Sequence, residues 1–134
     1  MKKALSRVTP DNIQTLKPGE VFVFGSNLQG MHLGGAARLA HERFGAVYGQ
    51  GIGLFGQSYA LPTMNLSLEE IARYVDEFIL FADQHPELTF LVTRVGCGIA
   101  GFSDEQIAPL FARAFALPNV YLPASFWKVL TYKF

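Results

Sequence analysis

Val21-Phe22-Val23-Phe24 leads into Gly25-Ser26-Asn27-Leu28-Gln29-Gly30-Met31-His32-Leu33-Gly34-Gly35, and then into Ala36-Ala37-Arg38-Leu39-Ala40-His41-Glu42-Arg43-Phe44, closed by Gly45. The short β-branched and aromatic run predicts a buried strand, and the Ala-rich segment ending in Gly predicts a helix with its C-terminal cap. Strand, loop and helix in that order set the loop at the carboxyl end of a strand, where open α/β sheets bind ligands. A helix that opens on Gly34-Gly35 offers unpaired backbone N–H groups and the positive end of its dipole to an anion. The same glycines would equally serve a tight strand-to-helix connection that needs positive φ angles and holds nothing.

Downstream the pattern repeats. Leu88-Thr89-Phe90-Leu91-Val92-Thr93 is a near-continuous β-type run of the kind buried on both faces, and Gly96-Cys97-Gly98-Ile99-Ala100-Gly101-Phe102 follows it as a second glycine-rich loop. Ser103-Asp104-Glu105-Gln106 then has capping-box spacing and leads into Ile107, Leu110, Phe111, Ala114 and Phe115, with Pro109 predicting a kink or an irregular first turn. Ser67-Leu68-Glu69-Glu70 has the same reciprocal spacing. The apolar stripe Leu68, Ile71, Ala72, Val75, Phe78, Ile79 and Ala82 predicts an amphipathic helix over 67–84, ended by His85-Pro86.

The remaining segments connect these units. Thr9-Pro10 predicts a short helix over 10–16, and Lys17-Pro18-Gly19 a turn into the first strand. Four glycines between Gly49 and Gly56 exclude a regular helix, yet the segment is too apolar for a flexible linker, so it is read as an ordered loop shaping a pocket wall. Ser58-Tyr59-Ala60-Leu61-Pro62 and Asn119-Val120-Tyr121-Leu122-Pro123 read as short strands, while 125–134 fits helix or strand. Together the pieces predict an α/β fold: a three-layer α/β/α single domain over 1–134 with a mixed central sheet. Helices at 35–44, 67–84 and 103–116 lie on its faces, and 88–93 is central.

Composition narrows the function classes. The chain has 134 residues, 50% hydrophobic and 16% charged, which suits one domain with a substantial core. Eleven basic and eleven acidic side chains cancel, which disfavours a nucleic-acid partner. The lone Cys97 has no internal disulfide partner, and no Cys/His cluster has metal-ligand spacing, so a reducing cytoplasm, no metal and no cofactor are expected. No signal peptide and no run of roughly 20 apolar residues is present, so no membrane partner is expected.

The order and wording of these pieces resemble the macrodomain superfamily of ADP-ribose-binding α/β modules, and especially a small macrodomain-like family found in bacterial and phage genomes. Phe24-Gly25-Ser26-Asn27-Leu28 with Gly34-Gly35-Ala36-Ala37, then Ser58-Tyr59-Ala60-Leu61-Pro62-Thr63, then Val95-Gly96-Cys97-Gly98-Ile99-Ala100-Gly101-Phe102 carry the resemblance over roughly residues 20 to 123. It implies binding of ADP-ribose or a related phosphorylated nucleoside, free or on an ADP-ribosylated target, in a cleft between the two glycine-rich loops at strand C-terminal ends. ADP-ribosyl hydrolysis is the activity that would accompany such a site. The alternative is a phage or bacterial protein-interaction module that keeps the fold without a nucleotide ligand.

Residue by residue, the resemblance implies that Asn27 faces the distal ribose, its amide both donating to and accepting from sugar hydroxyls, although an Asn there also tolerates left-handed geometry after a strand. It implies that Gly25, Ser26, Gly34 and Gly35 line one wall, with Gly98, Ile99, Ala100 and Gly101 as the opposite clamp, because a Cβ would hold the backbone off the phosphate oxygens. Phe102 matches an aromatic position against the ribose and equally suits the core. Asp11 is the candidate acceptor for an adenine amino group. The usual run of glycines in the first loop is here reduced to a pair, with Gln29, Met31 and His32 ahead of it. Among the residues themselves, Asn27 and His32 are the weak catalytic candidates, His32 as a loop histidine able to bond a sugar or move a proton. Cys97 is read as a packed thiol rather than a nucleophile, and His41 as a packing or surface histidine. Asp104 belongs to a helix cap and Glu42 to a helix, so neither loop holds an evident base; binding is favoured over catalysis, and whether the chain is an enzyme stays open.

Overall fold

The computed structural model describes residues 6–132. The start of the lead-in, 1–5, and the last two residues of the 125–134 tail lie outside the described residues. In chain order come β1 (Glu20–Ser26), α1 (Gly35–Arg43), β2 (Gly53–Phe55), β3 (Ser58–Pro62), α2 (Leu68–Asp83), β4 (Thr89–Val92), α3 (Asp104–Ile107), a 3-10 helix (Ala108–Ala116), β5 (Val120–Tyr121) and α4 (Ala124–Tyr132). The five strands form one mixed sheet in the order β2-β3-β1-β4-β5. β1 pairs in parallel with β3 and β4, β4 in parallel with β5, and only β2 runs antiparallel to its neighbour.

Side-chain alternation along β1 divides the core in two. Val21 and Val23 join Tyr59, Leu61, Phe90 and Val92 on the face covered by α2, the 3-10 helix and α4. Phe22 and Phe24 point to the other face, where Ala40, Phe44 and Ala46 cover them with Ile13 and Leu16 from the lead-in alongside. A sheet between two unequal helical layers results, the three-layer α/β/α arrangement that the periodicity predicts. α2 starts at Ser67, whose hydroxyl accepts from the Glu70 amide while the Glu70 carboxylate accepts from the Ser67 amide. It buries Ile71, Val75, Phe78, Ile79 and Ala82, the larger of them worth about 1.5–3 kcal/mol apiece.

Two expectations change. No helix forms over 10–16. Instead the Thr9 amide donates to the Leu122 carbonyl (2.9 Å) and the Leu122 amide to that of Arg7 (3.2 Å), holding the lead-in extended beside β5, and Asn12 turns the chain with φ 54°. The glycine-rich 46–57 segment is not wholly loop, because Gly53–Phe55 pairs antiparallel with β3 as an edge strand. The 103–116 helix is an α-helical turn followed by a 3-10 segment interrupted at Phe111 (φ −99°, ψ 15°), the irregularity that Pro109 predicts. The 125–134 tail resolves in favour of a helix, with Phe126, Trp127 and Leu130 buried in the larger core half. The run 88–93 is internal, paired on both sides, while β1 holds the centre. Among the described residues no helix is long and apolar enough to cross a membrane.

Candidate functional site

From β1 the chain crosses over to β3 on one side, and from β4 it moves to β5 on the other. Where the direction of travel reverses, loops after neighbouring parallel strands leave in opposite directions and open a crevice at the carboxyl ends. Here that point lies between β1 and β4, and two adjoining cavities occupy it. One, of about 400 Å³, lies between the loop after β1, the N-terminus of α1 and the loop after β4. The other, of about 580 Å³, extends past the start of α1 to the lead-in and the start of α4. Gly35, Ala36, Thr93 and Arg94 line both and mark their junction. Each cavity is within the usual size range of a small-molecule site, roughly 300–1,000 Å³.

The smaller cavity brings together Gly25, Ser26, Asn27, Gly34, Gly35, Gly98, Ile99 and Ala100 of the sequence candidates. Asp11, exposed, lines the larger one. Gly101 and Phe102 line neither. The Gly101 amide donates to the Gly98 carbonyl (3.0 Å) and the Phe102 amide to that of Gly96 (2.9 Å), closing the loop on itself, and the Phe102 ring packs against the larger core half.

His32 also departs from expectation. It is fully buried, its Nε2 lies 3.0 Å from the Val47 carbonyl and 3.2 Å from that of Gln50, and its ring meets Phe24 edge-on. Two carbonyl acceptors require Nε2 to carry the proton. His32 thus pins the 46–50 segment and does not line the cleft. The Gly49–Gln57 segment forms no wall of either cavity; it braces the first loop from behind. The Ser26 hydroxyl donates to the Gly51 carbonyl, the Gly49 amide donates to that of Gly30, and a Cβ at Gly30 would stand 2.3 Å from the Gln50 nitrogen.

Asn27 is held by its own loop: its Nδ2 donates to the Met31 carbonyl (3.0 Å) and its Oδ1 accepts from the Met31 amide (2.8 Å). A carboxamide has a further donor and acceptor, so this pairing orients the group without exhausting it. Gly34 caps α1 with no side-chain hydrogen bond, leaving the first-turn amides of Gly35, Ala36 and Ala37 without a side-chain acceptor. On the opposite loop, among the described residues, nothing accepts from the amides of Gly98, Ile99 or Ala100.

The glycines differ in what they need. Gly25 sits where a Cβ would meet Thr63 Oγ1 at 2.9 Å, and Gly96 has φ +76° with Ile107 in the way, so the fold itself requires both. Gly34 is extended (φ −154°, ψ 165°), Gly98 has no positive φ, and a Cβ on either would find nothing within 4 Å. Neither conformation nor packing against the protein accounts for glycine at these two positions.

Arg94, at the end of β4, was not singled out by the sequence. Its Nε and Nη2 donate to the two oxygens of Asp104 (3.1 and 3.0 Å), and Asp104 also accepts from the Ser125 hydroxyl (3.0 Å). Those hydrogen bonds hold the Asp104 carboxyl below its ordinary range and the Arg94 guanidinium above its own. The nearby Cys97 thiol is pushed up to about 11, first by burial and then by the Asp104 charge, which leaves it protonated and unreactive at neutral pH. The signal available in the sequence was position alone, an Arg directly after a buried strand run. Among the described residues no group of three His, Cys, Asp or Glu side chains could hold a metal ion. Compared with protein-family models, curated proteins and solved structures, the chain matches none.

Proposed function

We propose that the paired cavities bind ADP-ribose or a closely related phosphorylated nucleoside, in the manner of a macrodomain-like module. The phosphates and the distal ribose occupy the smaller cavity between the two glycine-rich loops, and the adenine end extends into the larger cavity toward Asp11. The observation that carries the proposal is the pair Gly34 and Gly98. They stand on the two loops bounding one cavity, neither has a positive φ or a neighbour that a Cβ would meet, and they flank amides with no side-chain acceptor among the described residues. Backbone N–H groups aimed at a helix start are suited to phosphate oxygens, which approach closely only where no Cβ intervenes.

Binding is favoured over hydrolysis. No Asp, Glu, His or Cys lines the smaller cavity among the described residues, so the protein offers no general base there for a water at the anomeric carbon. One observation favours the interaction-module reading: Met31, Leu33 and Ile99 stand 50%, 64% and 85% exposed on the rim of the smaller cavity, an apolar lip that a protein surface could cover. The lip is equally what a binder of modified proteins would carry beside its small-molecule cleft.

Calorimetric titration with ADP-ribose, ADP, AMP and ribose-5-phosphate tests the proposal. Tightest binding to ADP-ribose is expected, because it alone among the four supplies the adenine, the diphosphate and the distal ribose together. Folded protein that binds none of the four at millimolar concentration would leave the interaction module as the surviving reading.

A further inference from the structure

Of the described residues lining the two cavities, Arg94 is the only basic one, and it stands at their junction. The only acidic one among the described residues, Asp11, lines the larger cavity and not the smaller. The other junction residues, Gly35, Ala36 and Thr93, carry no charge, and the Thr93 hydroxyl is spent on the Val23 carbonyl (2.8 Å). A ligand long enough to occupy both cavities therefore meets one basic side chain, at its middle.

Arg94 is also held in place. Asp104 takes Nε and Nη2 in a two-pronged fork, and Ser125 Oγ fixes the Asp104 carboxylate from behind. The Nη1 amino group has no partner among the described residues, and the side chain remains 56% exposed. A guanidinium anchored on one edge and open on the other is preorganised for a second planar or tetrahedral oxyanion.

We propose that Arg94 is the specificity-determining residue of the cleft, selecting ligands that carry an anionic bridge between two uncharged ends, as a diphosphate does between two ribose-bearing groups. This rests on the ligand class proposed above and narrows it. Backbone amides alone would accept a terminal phosphate in the smaller cavity as readily as a bridging one, whereas Arg94 rewards the group that lies at the junction. Asp104 offsets part of the charge, so a small free anion gains little and the ligand must also fill the cavities on either side.

The test compares wild type, Arg94→Gln and Arg94→Lys by calorimetry with ADP-ribose and with adenosine, a ligand without phosphate, alongside thermal melts. Loss of a charge-assisted hydrogen bond predicts ADP-ribose binding weakened about 10- to 100-fold in Arg94→Gln. Arg94→Lys keeps the charge but not the fork and should fall between, and it carries the same comparison if Arg94→Gln melts early. Adenosine binding should change less than about twofold in both. ADP-ribose binding unchanged in Arg94→Gln while wild type binds well would overturn the role of Arg94 and leave the ligand class intact. An equal loss for adenosine would overturn it too, making Arg94 a wall rather than a charge reader. Wild type that binds neither ligand would bring down both the ligand class and the inference built on it.

Discussion

Gly34→Thr separates the needs of the fold from those of a ligand. Gly34 is the N-cap of α1 and is extended, a conformation that a β-branched residue adopts without strain. A Cβ there finds nothing within 4 Å, and Thr ranks with Gly as an N-cap residue. A Thr hydroxyl gains a hydrogen bond from the Ala36 or Ala37 amide, while loss of glycine removes about 0.4–1 kcal/mol of unfolded-state freedom. Stability should therefore stay level or rise, with a melting temperature at most about 5 °C from wild type. Binding should move the other way. The hydroxyl occupies an amide that the phosphate would use, and the methyl stands in the cavity. One charge-assisted hydrogen bond at about 1.5–3 kcal/mol, or two at the lower end of that range, is at stake, so ADP-ribose affinity should fall about 10- to 150-fold. Calorimetry and a thermal melt on the same sample read both quantities. Unchanged ADP-ribose affinity at unchanged stability would show that the α1 amides do not face the ligand. Gly30→Ala is the contrasting control: φ is +71° and the added Cβ would lie 2.3 Å from Gln50 nitrogen, so that variant should lose stability outright.

Asn27→Ala removes both bonds to Met31 and the amide proposed to face the ribose; the fold should survive, the Met31 amide should exchange faster with solvent, and ADP-ribose should bind about 10- to 100-fold more weakly. Arg7→Met should be far more damaging to stability than to any ligand, by about 3 kcal/mol or more in urea unfolding, because the buried guanidinium donates to the carbonyls of Ala114, Leu117 and Val120 and its loss strips each of a charge-assisted hydrogen bond, Ala114 and Leu117 keeping only the backbone amides of Leu117 and Val120. Cys97 should react slowly with thiol reagents at neutral pH, and Cys97→Ser should leave ligand affinity within a few-fold. Since the folded thiol keeps its proton to about 11 while the unfolded one releases it near 9.0, stability falls as pH rises between those values, and urea unfolding at about pH 8 and about pH 10.5 should show a larger loss for wild type than for Cys97→Ser.

What could be read from the chain beforehand depended on whether local chemistry and tertiary contacts agreed. At Ser67 and Ser103 the capping spacing is a local device, and both boxes form as the spacing predicts. The run 88–93 is apolar because strands flank it on both edges and helices cover the face that carries Phe90 and Val92, so its sequence alone marks it as internal. The 10–16 segment fails for the opposite reason. Thr9-Pro10 is a fair helix start in isolation, but backbone bonds between residues 7 and 9 and Leu122, reaching across more than a hundred residues of sequence, hold the chain extended up to Thr9, and Asn12 at φ 54° turns it where the helix would run. β2 was masked because three residues including Gly53 at φ +94° carry too little pattern to show as a strand. His32 in a glycine-flanked loop reads as a surface ligand, yet the absent side chains at Gly30 and Gly51 are what let the 46–51 segment close over it. A loop drawn that tightly against its neighbour turns its histidine inward.

The same contrast divides the candidate site. Glycine is visible in a sequence, but the reason for it is not, and the cleft holds glycines of both kinds. Gly25 and Gly96 answer to Thr63 and Ile107 and would be glycine in a protein with no ligand at all. Gly34 and Gly98 answer to nothing in the chain. Arg94 is the converse case, a side chain whose residue type is unremarkable in the sequence and whose placement depends on Asp104 ten residues on and Ser125 in a different helix. Folding first satisfies one edge of that guanidinium within the protein, and only then does its other edge become a fixed donor at the meeting point of two cavities. The functional surface is therefore made of groups that folding leaves half used: first-turn amides with no side-chain cap, a carboxamide bonded on one side, and a guanidinium bonded along one edge. A phosphate-bridged ligand lying across the junction would satisfy all three together, and a ligand ending short of it would leave at least one of them facing water.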